Sequence, residues 1–233
     1  MTLHIGIVGC SAEGAALCYR TICAEGGELL GGHAHPEVSL HTPSLARYVE
    51  CLERGDLDGV ARLMLASAHT LARAGADFLV CPDNTVHQAF DLVEPKSPLP
   101  WLHIAEVVAD EAAARGLRRL GLLGTRWLVE SDVYPDKLGE RGIEWLRPTA
   151  EQRVQTNRLI MDELVRGIFD GGARAAFLAV IREFAAHGCD GAVLGCTEIP
   201  LVVDDARSAL PTLDSTRLLA RAAMRRALDG GSS

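Results

Sequence analysis

Two positions carry side chains that can move a proton at carbon. Cys196 stands in Leu194-Gly195-Cys196-Thr197-Glu198-Ile199-Pro200, where the apolar run Ala192–Leu194 ends. If a helix begins near Thr197, its exposed N–H groups favour the thiolate, which makes Cys196 a base or nucleophile. A buried cysteine is otherwise a small apolar filler, the reading that suits Cys18, Cys23, Cys51 and Cys189. The second position is Asp83, in Val80-Cys81-Pro82-Asp83-Asn84-Thr85-Val86-His87. An aspartate at a strand-to-helix junction is ordinarily an N-cap, but a carboxylate at a strand end is also a candidate base. Around the two stand short hydrogen-bonding groups. Asn84, Thr85 and Thr197, with nearby helix amides, suit a carboxylate or a developing enolate. Glu198 is placed either to orient a substrate ammonium or to complete a helix start. Ser11 and Thr125 each follow a strand and are candidate substrate ligands by symmetry. His87, one turn after Asn84, faces either the site or solvent.

The elements that must position these groups alternate. Short apolar strands are predicted at 3–8, 38–42, 77–82, 101–104, 119–123, 143–146 and 191–195. Helices are predicted at 12–26, 44–53, 57–74, 84–93, 105–116, 130–140, 150–169, 172–187, 197–201 and 214–227. Such alternation predicts an α/β fold with parallel sheets covered by helices. The chain also repeats itself. Gly6-Ile7-Val8-Gly9 returns as Gly121-Leu122-Leu123-Gly124, 115 positions later. Asp77 and Asp83 are echoed by Asp190 and Cys196, both at an offset of 113, and Leu99-Pro100 by Leu210-Pro211 at 111. Three matches in one order predict two similar lobes, residues 1–104 with 214–233 and residues 105–213. Ligands bind beyond the carboxyl ends of strands in such sheets. The expectation is therefore one shared cleft, with Asp83 and Cys196 as counterparts on its two sides. The tail Gly230-Gly231-Ser232-Ser233 is expected to be frayed.

Composition narrows the partners to a small molecule. A net charge of -8 argues against nucleic acid, since phosphate contacts need clustered Lys and Arg. No apolar run reaches the ~20 residues of a membrane span. The opening strand leaves no room for a signal peptide, and seven scattered cysteines read as thiols in a reducing cytoplasm. Gly6-x-x-Gly9-x4-Gly14 lacks the dinucleotide spacing, and no Gly-Lys-Ser/Thr element follows a Gly-rich turn. His33-Ala34-His35 has no partner that completes a metal ligand set, and no lysine suits a pyridoxal cofactor. No cofactor and no metal are expected.

These motifs together resemble the aspartate/glutamate racemase superfamily. The resemblance rests on the Ile-Gly-Ile-Val-Gly opening, Asn84-Thr85-x-His87, Leu122-Leu123-Gly124-Thr125, Gly195-Cys196-Thr197-Glu198-Ile199-Pro200 and Leu213-Asp214-Ser215-Thr216, and it runs over nearly the whole chain. It implies a cofactor-independent isomerase, commonly a homodimer. Two cysteines flank the α-carbon in that family; one removes its proton while the other supplies one to the opposite face. Here the first cysteine position is Asp83. The opening Gly-Gly-Met element is replaced by Gly9-Cys10-Ser11, and the family lysine for a substrate side-chain carboxylate aligns with Val165. The family's first-lobe arginine falls about one position from Arg47, which makes Arg47 a candidate substrate ligand. An aspartate/cysteine pair is chemically lopsided. With reference values of ~3.9 and ~8.5, the state with a protonated aspartate and a thiolate lies about 6 kcal/mol above its opposite. The expected activity is racemisation or epimerisation of an amino acid. The alternatives are a single-cysteine lyase that protonates an enolate and a non-catalytic binding protein.

Overall fold

The computed structural model describes residues 2–230. The expected frayed tail lies, beyond Gly230, outside the described residues. The chain divides into two compact lobes, one formed by the residues up to Ile104 together with those from Thr216 onward, the other by Ala105–Ser215.

The first lobe holds β1 (Ile5–Val8), β2 (Val38–His41), β3 (Phe78–Val80) and β4 (Trp101–Leu102), in the order β2-β1-β3-β4 and parallel throughout. The second holds β5 (Arg119–Leu123), β6 (Glu144–Leu146), β7 (Gly191–Leu194) and β8 (Thr212–Asp214), in the order β6-β5-β7-β8. The two sheets share one strand plan. The central strands β1, β3 and β7 are buried along their whole length, as continuous apolar runs in a parallel sheet must be. The edge strands β2 and β6 are partly exposed. Parallel neighbours need long crossovers, and helices such as Ala12–Leu30, Leu57–Arg73 and Gly171–Ala186 supply them.

The internal repeat is visible in hydrogen bonds as well as in letters. The Asp77 carboxylate accepts from the His4 amide at 2.7 Å. The Asp190 carboxylate accepts from the Arg118 and Arg119 amides at 2.8 and 3.0 Å. Each aspartate, just before the third strand of its lobe, ties down the entry to the first. Each lobe has its own core. Tyr48, Met64, Leu71 and Leu79 lie at the centre of one, and Phe177, Ile181, Phe184 and Leu194 at the centre of the other.

Local differences from the expected elements have local causes. The helix expected at 84–93 is a 3-10 turn, Asn84–Ala89, followed by one α-helical turn, Phe90–Val93. The helix expected at 150–169 ends at Asp162 and passes through a 3-10 turn into Gly167 at φ 75°. That expected at 130–140 is two pieces, Arg126–Glu130 capped by Thr125 and Val133–Gly139. After Cys196 there is only the 3-10 turn Ile199–Leu201, with Pro200 inside it. Strand β8 was absent from the expected set, because three residues with polar ends carry no apolar run.

Candidate active site

In the first lobe the site is built where β1 and β3 end. Asp83 occupies the N-cap position of the turn Asn84–Ala89, yet its side chain makes no capping bond there. Its carboxylate reaches back to the loop after β1. Oδ2 accepts from the Cys10 amide at 2.9 Å and Oδ1 from the Ser11 amide at 3.1 Å. All three residues are buried. The simple cap reading is thereby replaced by a nonlocal one. Two N–H donors on the two oxygens fix the carboxylate's orientation and stabilise its charge.

The groups around that charge stay protonated. Burial, then the Asp83 charge, pushes the Cys18 thiol up to about 12. The same two causes raise the Cys81 thiol well above its ordinary value. The Tyr48 phenol is raised as well, by burial first and then by Cys81, Cys10 and Asp83. Cys81 is fully buried, and its Sγ lies 3.8 Å from the Asp83 carbonyl oxygen.

His87 neither faces solvent nor titrates near neutrality. Its Nδ1 pairs with the Asp83 carbonyl at 3.1 Å, which fixes the proton on that nitrogen, and Nε2 accepts from the Ile104 amide at 3.5 Å. The ring stacks on Phe90 and meets His103 edge-on at 4.7 Å. Burial lowers its pKa from 6.5 to about 4. The folded state thus binds this proton less readily than the unfolded chain. Stability is fully present above pH 6.5 and is lost as pH falls from there toward 4, by roughly 3 kcal/mol for this group. We expect urea midpoints measured between pH 7 and pH 4 to show this loss, and His87→Gln to flatten that part of the curve. An unchanged slope in His87→Gln would assign the acid sensitivity elsewhere.

Ser11 caps the helix Ala12–Leu30 by accepting from the Gly14 amide at 3.2 Å, and Thr125 does the same for Leu128 in the second lobe at 3.3 Å. The symmetry that singled them out is therefore a symmetry of capping at equivalent strand ends. Arg47 lines a groove of about 340 Å³ between helices Leu45–Glu53 and Leu57–Arg73. That groove also contains the ion pairs Arg54–Glu50 at 2.8 Å and Arg62–Asp56 at 3.4 Å. Asn84 is buried at the first position of the turn after Asp83, and Thr85 is half-buried beside it.

In the second lobe Cys196 follows β7 by two residues. Gly195 is required before it: an added Cβ would come within 2.6 Å of the Leu128 side chain and 2.8 Å of the Leu123 carbonyl oxygen. The Gly195 amide donates to that carbonyl at 2.7 Å, which sets the strand end from which the thiol departs. The Ser215 hydroxyl donates to the carbonyl of Leu194, the last residue of β7, at 2.9 Å. Cys196 is buried, and its Sγ donates to Glu198 Oε2 at 2.9 Å. The Thr197 hydroxyl donates to the same oxygen at 2.7 Å. The thiol's neighbour is thus a carboxylate two residues on, in place of the row of helix amides the sequence suggested. The three-residue turn that follows is too short to carry a macrodipole of consequence.

Sequence reasoning missed the Cys10 and Ser11 amides as the partners of Asp83, and it missed Glu198 as the partner of the thiol. Among the described residues, no three His, Cys, Asp or Glu side chains converge as a metal site.

The comparisons agree with one another. A family model described as Asp/Glu/Hydantoin racemase matches residues 6–223. The broad specificity amino-acid racemase RacX of Bacillus subtilis is 25% identical over 170 residues, covering 71% of each chain. A Yersinia pestis crystal structure, reported as a candidate Asp/Glu racemase, is 34% identical with a TM-score of 0.87 and covers 97% of this chain and 99% of that one. An aspartate racemase homologue from Pyrococcus horikoshii is 27% identical with a TM-score of 0.83, over 98% and 100% of the two chains. With the family model spanning nearly the whole sequence and both lobes built on its paired-sheet plan, this chain belongs to the Asp/Glu/hydantoin racemase family of isomerases.

Proposed function

We propose that the protein racemises an amino acid without a cofactor, with Asp83 and Cys196 each carrying the proton at one face of the α-carbon. One observation supports this most. Asp77 and Asp190 each accept from backbone amides at the entry to the first strand of their lobe, one for Asp77 and two for Asp190, and Asp83 and Cys196 each lie six residues beyond them. The two reactive groups therefore occupy equivalent strand ends of one repeated plan.

The amide-held Asp83 carboxylate suits the role of a resident base. Deprotonating an α-carbon leaves an electron pair that the substrate carboxyl group delocalises, and the buried donors Asn84 and Thr197, with half-buried Thr85, suit that developing charge. The substrate class is an amino acid, as in the name of the Bacillus relative, and the reading includes a cytoplasmic homodimer. No helix among the described residues is long and apolar enough to cross a membrane.

The test is incubation in deuterium oxide with a panel of L- and D-amino acids. Interconversion of enantiomers with one α-deuterium gained per inversion is expected for at least one pair. Carbon dioxide release from substituted malonates, without α-hydrogen exchange in any amino acid, would replace the racemase reading with the lyase.

A further inference from the structure

An aspartate/thiol pair has an internal difficulty: one resting state must hold a thiolate while a carboxylic acid stays protonated. The second lobe contains a group that removes it. Glu198 is 2% exposed, and its Oε2 receives both the Cys196 thiol proton at 2.9 Å and the Thr197 hydroxyl proton at 2.7 Å. A separation of 2.9 Å is short for a bond from sulfur, which is larger than nitrogen or oxygen. Two donors on one oxygen fix the carboxylate against the sulfur, along the line a proton would travel.

We propose that Glu198 is a positioning residue that stores the Cys196 proton, so that Cys196 and Glu198 work as one proton-carrying dyad. This rests on the reading of Cys196 as one of the two proton carriers. In one direction the dyad starts with one proton and Asp83 is protonated. The S–H bond breaks as an O–H bond forms on Glu198. The thiolate then removes the α-hydrogen as a proton, which re-forms S–H and leaves the electron pair on the substrate. Asp83 gives its proton to the opposite face and ends as a carboxylate. Two protons are present before and after; the dyad now holds both. In the reverse direction Asp83⁻ removes the α-proton and the thiol donates to the other face. The resulting thiolate is then reprotonated by Glu198. Neither resting state stores a bare thiolate beside a carboxylate. The contest for the stored proton is between two carboxyl groups, Asp83 and Glu198, rather than between a carboxyl and a thiol.

The alternative role for Glu198, binding a substrate ammonium, predicts different kinetics, and Glu198→Gln separates the two. Gln can still accept from the thiol and from Thr197 but cannot store a proton. In one of the two directions kcat should fall by ~100-fold or more, with KM changed less than about two-fold, because the site's binding groups are untouched. The residual rate should climb with pH through the thiol range, where the wild-type profile should not. Glu198→Asp should regain part of kcat and the wild-type shape of the profile. A raised KM with kcat preserved, or wild-type rates in both directions, would overturn the proposal. Should Glu198→Gln fail to fold, Glu198→Asp decides it. A lowered kcat on a wild-type-shaped profile supports the dyad, and a raised KM with full kcat overturns it. Cys196→Ala keeps the two failures apart. If that variant is inactive while Glu198→Gln is fully active, only the dyad is lost; if it is fully active, the reading beneath it is lost as well.

Discussion

Replacing Cys196 with alanine is expected to lower racemisation by ~1000-fold or more while the protein still folds. The activity loss follows from removing the only thiol at that strand end, and loss of a general acid or base commonly costs 10²–10⁴. The fold survives because the sulfur occupies a small volume. Cys196 packs in a core that also contains Ile199, Val202 and Leu210, among many larger side chains. Losing its sulfur leaves a cavity costing ~1 kcal/mol, by comparison with other deletions of single buried atoms. A further cost of about 1 kcal/mol is expected because Glu198 loses one of its two donors. Cys196→Ser is the companion, since it keeps a donor toward Glu198 but not the thiol's acidity. Chiral chromatography of the reaction and a thermal melt, run on both variants, check the prediction. Full racemisation by Cys196→Ala with a verified substrate would remove Cys196 from the chemistry.

Asp83→Asn is expected to lose both activity and stability, and the combination is the informative part. An ordinary N-cap tolerates this change, because asparagine caps about as well as aspartate. Asp83 accepts instead from two amides, one on each oxygen. An asparagine can present its carbonyl to only one of Cys10 and Ser11; its NH2 then faces the other N–H, donor against donor. A buried donor left in that state costs about 1–3 kcal/mol, which for a chain of this size lowers the melting temperature by roughly 2–12 °C. Turnover, measured well below the lowered midpoint, should fall by ~100-fold or more for want of a proton carrier. Wild-type turnover in a destabilised Asp83→Asn would make the carboxylate an anchor for the loop after β1 and nothing more.

Much of the architecture was legible because parallel strands buried on both faces write themselves as apolar runs. Gly6–Gly9 and Gly121–Gly124, the two aspartates before the third strands and the two Leu-Pro pairs were enough to divide the chain into similar halves. The elements that escaped were those whose stability comes from neighbours. Strand β8, Thr212–Asp214, exists because β7 offers it Ala192, Val193 and Leu194 to pair with, and nothing in its own composition announces a strand. The candidate site was legible as positions but not as contacts. Asp83 could be paired with Cys196 by counting, yet its actual partners lie 72 and 73 residues away and are backbone amides, which leave no mark on residue type. From sequence Glu198 is a ligand for a substrate ammonium or part of a helix start, because a Thr-Glu pair after a strand suits either, and neither reading points to the thiol. The thiol–carboxylate contact spans only two residues in a turn with no periodicity, so no pattern rule reports it. His87 is open to two readings from sequence, facing the site or facing solvent, because a regular α-helix after Asp83 allows either. The 3-10 geometry turns it inward, to the Asp83 carbonyl and the Ile104 amide.

The last helix, Ser215–Asp229, has a consequence for how the protein is made. The Leu3 amide donates to the Ala227 carbonyl at 2.9 Å, and Arg221 clasps Glu25 through three hydrogen bonds of 2.8 to 3.2 Å. Leu219, Ala220, Ala223 and Met224 are buried along the same helix. The first lobe is therefore closed by residues that follow the whole of the second. On a ribosome, which releases the polypeptide from its amino end, the second lobe is a continuous stretch that can finish as soon as it emerges. The first lobe must wait, with the flank of Leu3 and Glu25 uncovered, until the whole of the second lobe and then the helix Ser215–Asp229 have emerged.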